Sequence, residues 1–354
     1  VAPFAQLVGL GLIGCSVGLG LKAQGWQVSG TDMDSARAAR ALELGAIDAI
    51  GIDHNASLAV IATPVASIPA IANDLLARGR ADLVVTDVGS VKSPVVSGVG
   101  HPRFVGGHPM AGSEQEGPDG ADPDLFVGAT WVLTPSADTD HDAFSLVRQI
   151  ATGLGADVLE LSPERHDALV AVVSHVPHLT AANLMAVAAD ASSEHAALLR
   201  LAAGGFRDMT RIAAGDPGIW PDIFEDNASA VLEVLDALRA RLDEARRIVA
   251  EHDRGALIDL LEYAKRARRN LPARVLRPET IAECRVPVPD RPGVLAEVTT
   301  VLSSIGVNVF DLEIAHSSEG PSGVLVLSID ADMAEKAREA LAERGYRPSI
   351  RNLA

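Results

Sequence analysis

Leu7-Val8-Gly9-Leu10-Gly11-Leu12-Ile13-Gly14-Cys15-Ser16-Val17-Gly18 is the stretch from which the fold of this chain is read. An apolar run, Phe4 to Val8, predicts a buried strand, and Leu12 to Ala23 predicts the helix that follows. Gly9, Gly11 and Gly14 have the spacing G-x-G-x-x-G. Such glycines serve a tight turn, close backbone approach to a pyrophosphate, and close helix–strand packing. Leu12 and Ile13 lie at the helix start, where open N–H groups favour phosphate charge. A second apolar run, Trp26 to Thr31, ends at Asp32, where an acid is expected to meet a ribose 2′-OH. Glycine turns also arise for packing alone, but the strand–turn–helix–strand context and Asp32 favour a bound dinucleotide. Asp32 repels a 2′-phosphate, and Met33 and Asp34 rather than Arg follow it. The expected cofactor is therefore NAD, not NADP.

Outward from this stretch, strands are expected at 4–9, 26–32, 57–62, 82–87, 103–106, 129–134 and 156–161, with helices between most of them. Such alternation predicts an α/β Rossmann-type domain over residues 1–161, with a parallel sheet covered on both faces. Ligands meet the loops at the carboxyl ends of such strands. One loop holds Thr63 and Pro64, and another holds Asp87, Gly89, Ser90 and Lys92. A third, glycine-rich loop holds His108, Ser113 and Glu114. Thr63, Pro64, Asp87 and Gly89 join Gly9, Gly11, Leu12, Ile13, Gly14 and Asp32 as candidate cofactor-binding residues. Imidazole is the common general base near neutral pH, which makes His108 a candidate catalytic group. Ser90 and Lys92 can share its crevice; their bland reading is a helix cap and a solvated lysine.

At Ser162 the pattern changes. Ser162 and Pro163 suit a helix start. Residues 163–190 are apolar on nearly all faces, which predicts a buried helix kinked at Pro177. Further helices are expected at 194–203, 216–226, 227–252 and 255–269, giving an all-α domain over 162–271. A helix this apolar needs partners that one chain does not fully supply, so a helical homodimer interface is expected. His175 and His178 lie three apart. No carboxylate or cysteine supports a metal pair, so no metal is expected, and hydrogen bonding to substrate competes with satisfied core histidines. Gly204 to Arg211 places Arg207 and Arg211 beside glycines, and arginine suits bidentate carboxylate binding. The bland alternative there is helix-terminal salt bridging.

Pro272 and Pro278 mark a linker. From Ile281, strand alternation, the turn Asp290-Arg291-Pro292-Gly293 and a helical run from Val294 begin a βαββαβ unit over 280–354. Length, 354 residues, allows two or three domains. The net charge of −17 argues against nucleic acid and anionic membrane, so an anionic substrate needs a local basic cluster. Cys15 and Cys284, the two cysteines, lie in different expected domains, which excludes a disulfide framework and fits a reducing cytoplasm. No signal segment opens the chain, and no apolar run reads as long enough to span a bilayer.

Five ordered motifs resemble those of the prephenate dehydrogenase family: Gly9–Gly14, Asp87–Lys92, His108-Pro109-Met110-Ala111-Gly112, Ser174-His175-Val176-Pro177-His178, and Gly204–Arg211. Residues 281–350 resemble an ACT domain, a small-molecule sensing module. The resemblance implies NAD-dependent oxidative decarboxylation of prephenate to 4-hydroxyphenylpyruvate, with arogenate as the rival substrate. His108 matches the family's catalytic histidine and Ser90 the serine that assists it. His178 matches a site histidine, Arg211 the arginine on a prephenate carboxylate, and Trp220 a tryptophan near the active site. Glu114 and Asp208 match acids near the site entrance. Ser113, His175 and Lys92 complete the expected substrate-binding set. Asp290, Pro292, Gly293, Val294, Leu295 and Asn308 are the candidate regulatory residues, with tyrosine the expected effector and phenylalanine a weaker one. A module that only supports oligomerisation is the bland reading. A redox-inactive NAD-binding sensor is the rival of another class, although a sensor needs no base beside the nicotinamide.

Overall fold

The first strand, β1 (Phe4–Val8), is buried at its centre and runs directly into the glycine turn and α1 (Leu12–Ala23). Then come β2 (Gln27–Thr31), α2 (Ser35–Glu43), β3 (Ala49–Ile50), β4 (Leu58–Ile61), α3 (Ile68–Arg78), β5 (Val84–Asp87), α4 (Ser93–Val99), β6 (Phe104–Pro109), β7 (Thr130–Thr134), α5 (His141–Gly153) and β8 (Asp157–Glu160). They form one eight-stranded sheet of order β3-β2-β1-β4-β5-β6-β7-β8. The computed structural model describes residues 2–112, 115, 117–192, 201–215, 217–269, 281–289, 291–316 and 322–352.

Strands β1 to β6 pair in parallel, so the loops after β1, β4, β5 and β6 open at one sheet edge. β4 and β5 are buried at every position, as strands covered on both faces must be. The all-parallel expectation fails at one pair: β7 runs antiparallel to β6, with His108 opposite Val132. A parallel neighbour requires a crossover, usually a helix, between the strands. The described part of the β6–β7 connection holds only a short 3₁₀ turn, Pro118–Gly120, whereas α5 carries the chain from β7 to its parallel partner β8. The two-residue β3 carries no periodic signal and was not expected.

The expected continuous helix after Ser162 is built as α6 (Pro163–Val170), a single π turn over Ala171–His175, and α7 (Val176–Ser192). Ser162 caps it as expected, its hydroxyl accepting the Arg165 N–H at 3.2 Å. The irregularity is a π turn ending just before Pro177 rather than a kink at the proline. Prolines stay compatible with helices where the ladder is already locally rearranged. Pro163–Ser192 is also long and apolar enough, by length and composition, to cross a membrane, which corrects the expectation that no apolar run is. Nor is it buried on all faces: Val172, Val173 and Val187 are exposed. The inward side, Ala171 and Val176, packs on Val231, Phe224, Val234 and Leu238. These come from α9 (Trp220–Asp226) and α10 (Ala228–Ala250), which follow α8 (Gly204–Thr210). Most of the helix expected at 194–203 lies outside the described residues.

Residue contacts divide the chain into two units, Val1–Arg247 and Ile248–Ala354. The second contains α11 (Arg254–Arg269) and the expected βαββαβ order: β9 (Ile281–Pro289), α12 (Val294–Ser304), β10 (Val309–His316), β11 (Ser322–Asp330), α13 (Ala334–Glu343) and β12 (Ser349–Asn352). Its antiparallel sheet has the order β10-β11-β9-β12. Ala282, Cys284, Val286 and Val288 of β9 point to one face, packing with Val298 and Leu302 of α12 and Leu325 and Leu327 of β11. That is the period-2 alternation read from the sequence.

Candidate active site

The glycine turn has the geometry of a nucleotide cradle. Gly9 has φ +93°, and a Cβ there would stand 2.4 Å from the Ala62 carbonyl oxygen. A Cβ on Gly14 would stand 2.1 Å from the Gly9 carbonyl oxygen, so α1 approaches its own strand only because Gly14 has no side chain. Around Gly11 the space is open, and no side chain caps the first amides of α1. These residues fit a pyrophosphate, whose charge such amides favour. Asp32, at the end of β2, accepts the Leu10 N–H at 2.7 Å and the Asp34 N–H at 2.9 Å. Its carboxylate is therefore held beside the cradle. Thr63 contributes at the end of β4, its hydroxyl accepting from Ser67 at 2.9 Å.

Asp87 and Lys92 are placed differently from expectation. Both side chains are wholly buried and form an ion pair. Asp87 also accepts the N–H groups of Gly89 at 2.8 Å and Gly107 at 3.1 Å. The Lys92 ammonium donates to the Gly107 carbonyl at 2.8 Å. Burial lowers the Lys92 pKa, against the opposing pull of Asp87 and Asp167. With these partners the pair braces the loop after β5 against β6, and neither charge opens to a ligand. Ser90, between them in sequence, remains half-buried in that loop.

His108 lies within β6, near its end, rather than in the loop after it, and is held at one ring nitrogen. Its Nδ1 is 2.8 Å from Nε2 of His166, on α6. Nδ1 of His166 is 2.8 Å from Oδ1 of Asp167. Asp167 in turn accepts the Lys92 N–H and the Ser93 N–H, each at 2.8 Å. Burial raises the Asp167 pKa, but the bonds from His166, Ser93 and Lys92 outweigh it and hold the carboxyl below its ordinary value. His108 is pushed well below the ordinary imidazole value, first by burial and then by His166, Lys92 and His175. It is therefore a neutral imidazole near pH 7, the form a general base requires. His166 and Asp167 were missed in the sequence. The available signal was a His-Asp pair in the first turns of an otherwise apolar helix.

His175 and His178 do not act as a pair. His175, buried, meets the Asn227 amide nitrogen at 3.1 Å, and that nitrogen also donates to the Asp167 carbonyl at 2.9 Å. The amide can only donate, so His175 carries its proton on Nε2. Burial lowers its pKa to about 4. His178 stacks on Trp220 with ring centroids 3.7 Å apart. Trp220 packs onto the core that contains Val65 and Ile68, so α9 reaches the loop after β4. Among the described residues, no group of three His, Cys, Asp or Glu is arranged to hold a metal. Asp208 and Arg211 are exposed, on α8 and the turn after it, both packed against α7. Ser113, Glu114 and Asp290 lie outside the described residues. Gly293 takes φ +87° as the residue before α12, with Val294 buried, Leu295 exposed and Asn308 exposed ahead of β10.

Residues 17–160 match the family model described as prephenate dehydrogenase, nucleotide-binding domain, and residues 162–263 that of prephenate dehydrogenase, dimerization domain. The chain belongs to the prephenate dehydrogenase family. Residues 283–345 match the ACT domain. The prephenate dehydrogenase of Bacillus subtilis (strain 168) is 36% identical over 355 residues, covering 95% of this chain and 96% of its own. A crystal structure of prephenate dehydrogenase from A. aeolicus, in complex with hydroxyphenyl propionate and NAD+, superposes with a TM-score of 0.71 at 31% identity. It covers 76% of this chain and 98% of that one. Synechocystis arogenate dehydrogenase superposes at 0.67 and 31%, over 75% of this chain and 98% of its own. Membership in the family makes the chain an oxidoreductase with a nucleotide-binding Rossmann domain. It also gives the apolar stretch Pro163–Ser192 a reading other than a membrane span, because it falls in the family's dimerization domain.

Proposed function

We propose that this chain catalyses NAD-dependent oxidative decarboxylation of prephenate to 4-hydroxyphenylpyruvate. The observation that carries the reading is the shared sheet edge: His108, near the end of β6, lies on the same side as the glycine cradle after β1 and Asp32 after β2. The relative from A. aeolicus, with NAD+ and a hydroxyphenyl ligand bound, supports the same assignment. In the reaction, bound NAD accepts a hydride from the ring's carbinol carbon. His108 takes the hydroxyl proton, with Ser90 orienting the group. Loss of CO2 leaves its bonding electrons in the ring, and the resulting phenol oxygen recovers the proton from His108. Arg211 binds a substrate carboxylate, with His178, His175 and Trp220 forming the wall beside it, and Asp208 at the mouth. Lys92 serves this site by bracing Gly107 rather than by touching substrate.

Arogenate remains the second reading, because the chain is as similar to Synechocystis arogenate dehydrogenase, at 31% identity, as to the A. aeolicus enzyme. NADH formation measured with each substrate in turn decides between them; no turnover of either would leave the sensor reading standing. The two charged ligand contacts are separable. Arg211→Ala is expected to raise KM for the substrate by one to two orders of magnitude, the scale of a lost carboxylate contact of about 2 kcal/mol, and to leave NAD binding intact. Asp32→Ala is expected to raise KM for NAD and to narrow the preference over NADP. Equal effects of both substitutions on both ligands would show the two sites to be misplaced.

The same reading assigns residues 1–161 to the nucleotide, 162–271 to substrate and homodimer formation, and 280–354 to regulation, in the cytoplasm. Tyrosine, as the end product, is the proposed effector. Its carboxylate would meet the open N–H groups at the start of α12, beside Pro292, Gly293 and Leu295, with Asn308 at its other end. A chain truncated after residue 276 is expected to keep dehydrogenase activity and lose tyrosine inhibition. Full retained sensitivity would place tyrosine in the active site as a competitor and remove the regulatory role.

A further inference from the structure

The geometry points to His166 and Asp167 as positioning residues that fix the tautomer of His108, leaving its Nε2 bare to receive the substrate proton. This inference rests on His108 being the base. Asp167 is the fixed end. Its carboxylate accepts two backbone N–H groups, from Lys92 and Ser93, so its orientation is set by the start of α4. An ionised carboxylate only accepts, so the 2.8 Å contact to His166 must carry its proton on His166 Nδ1. A neutral His166 then has a bare Nε2, which can only accept. The 2.8 Å contact to His108 must therefore carry its proton on His108 Nδ1. One position is left for the lone pair of neutral His108, Nε2.

Without this chain, the two neutral tautomers of His108 compete, and the one protonated on Nε2 cannot take a proton there. When the substrate O–H bond breaks, its proton bonds to Nε2 while the Nδ1–H bond stays intact. The imidazolium so formed donates to His166, with the Asp167 charge behind it. His166 is wholly buried and Asp167 nearly so, which keeps water from offering a competing donor. Neither residue touches substrate in this arrangement; both act through His108.

Two measurements test the assignment. The first compares His166→Phe, which keeps the ring and removes the acceptor, with His166→Gln, whose amide can accept from His108 and donate to Asp167. His166→Phe is expected to lower kcat about 100-fold, short of the ~10⁴-fold loss seen when a catalytic histidine is left in the wrong tautomer, with KM for the substrate within about threefold. His166→Gln should turn over at least about tenfold faster than His166→Phe. Equal losses in both, or a change in KM alone, would overturn the assignment. The second measurement needs no variant to fold well: nitrogen NMR of the wild-type protein labelled with 15N-histidine, with His108 assigned by its disappearance in His108→Asn. A protonated Nδ1 and an imine-type Nε2 are expected, and the reverse pattern overturns the inference. Because the tautomer is read without turnover, this result is independent of whether His108 proves to be the base. That point is settled by the activity of His108→Asn.

Discussion

His108→Asn is expected to lower kcat by about two to four orders of magnitude, the range found when a general base is removed. Asparagine keeps a polar side chain at the end of β6 but has no basic nitrogen. NAD affinity should change little, because the glycine cradle and Asp32 lie on other strands. Stopped or continuous NADH absorbance assays give kcat, and a fluorescence titration gives the cofactor affinity. Turnover near that of the wild type would remove His108 from the mechanism. The wild-type pH profile carries a linked expectation. Protonation of His108 abolishes the base, so kcat/KM should fall as pH drops through its pKa. Burial, with His166, Lys92 and His175 adding to it, holds that pKa well below the ordinary imidazole value. The acid limb should therefore lie clearly to the acid side of where an exposed histidine would put it. A limb at or above the ordinary value would contradict the buried setting of this group.

Lys92→Met is expected to destabilise the Val1–Arg247 unit by about 3–5 kcal/mol, the scale for removing one partner of a buried ion pair. Methionine fills most of the space of the lysine stem but leaves the Asp87 carboxylate buried with only the Gly89 and Gly107 N–H groups. It also releases the Gly107 carbonyl, one residue before His108, so the folded fraction should turn over more slowly as well. Denaturant unfolding followed by tryptophan fluorescence reports this unit, since Trp26, Trp131 and Trp220 all fall within it. Pairing Lys92→Met with Asp87→Asn removes the orphaned charge and should recover part of the loss. A loss below about 1 kcal/mol for Lys92→Met alone would mean that the pair is not sealed from water, as a solvated pair contributes no more than that.

The sequence by itself determined the parts that depend on local pattern. Gly9 and Gly14, between an apolar run and a helix start, hold positions that no other residue fits, as the φ of +93° at Gly9 and the 2.1 Å approach to a Cβ on Gly14 show. The alternation of Cys284, Val286 and Val288 specifies a half-buried strand, and the order of strand and helix signals specifies the class of each sheet, though not β3 or the direction of β7. The glycine-rich stretch after an apolar run marks His108, although β6 extends through it and leaves it in the strand rather than in a loop. Each of these signals is carried by residues within about two turns or one strand of each other, where backbone sterics and burial periodicity act directly. What needed the tertiary structure was every partnership between distant segments. His166 meets His108 across 58 positions, and Asp167 holds the Lys92 N–H across 75. Nothing in the periodicity of α6 says which strand end its polar side will face. Lys92 read as a solvated charge because charge alone does not report burial; Asp87 and the Gly107 carbonyl, brought together by β5 and β6, made its burial tolerable. The reversal of β7 likewise depended on how the chain between β6 and β7 returns to the sheet. The exposed valines of Val172, Val173 and Val187 have the same origin: hydrophobicity predicts that a face will be covered, but only packing decides which helices of the chain reach it.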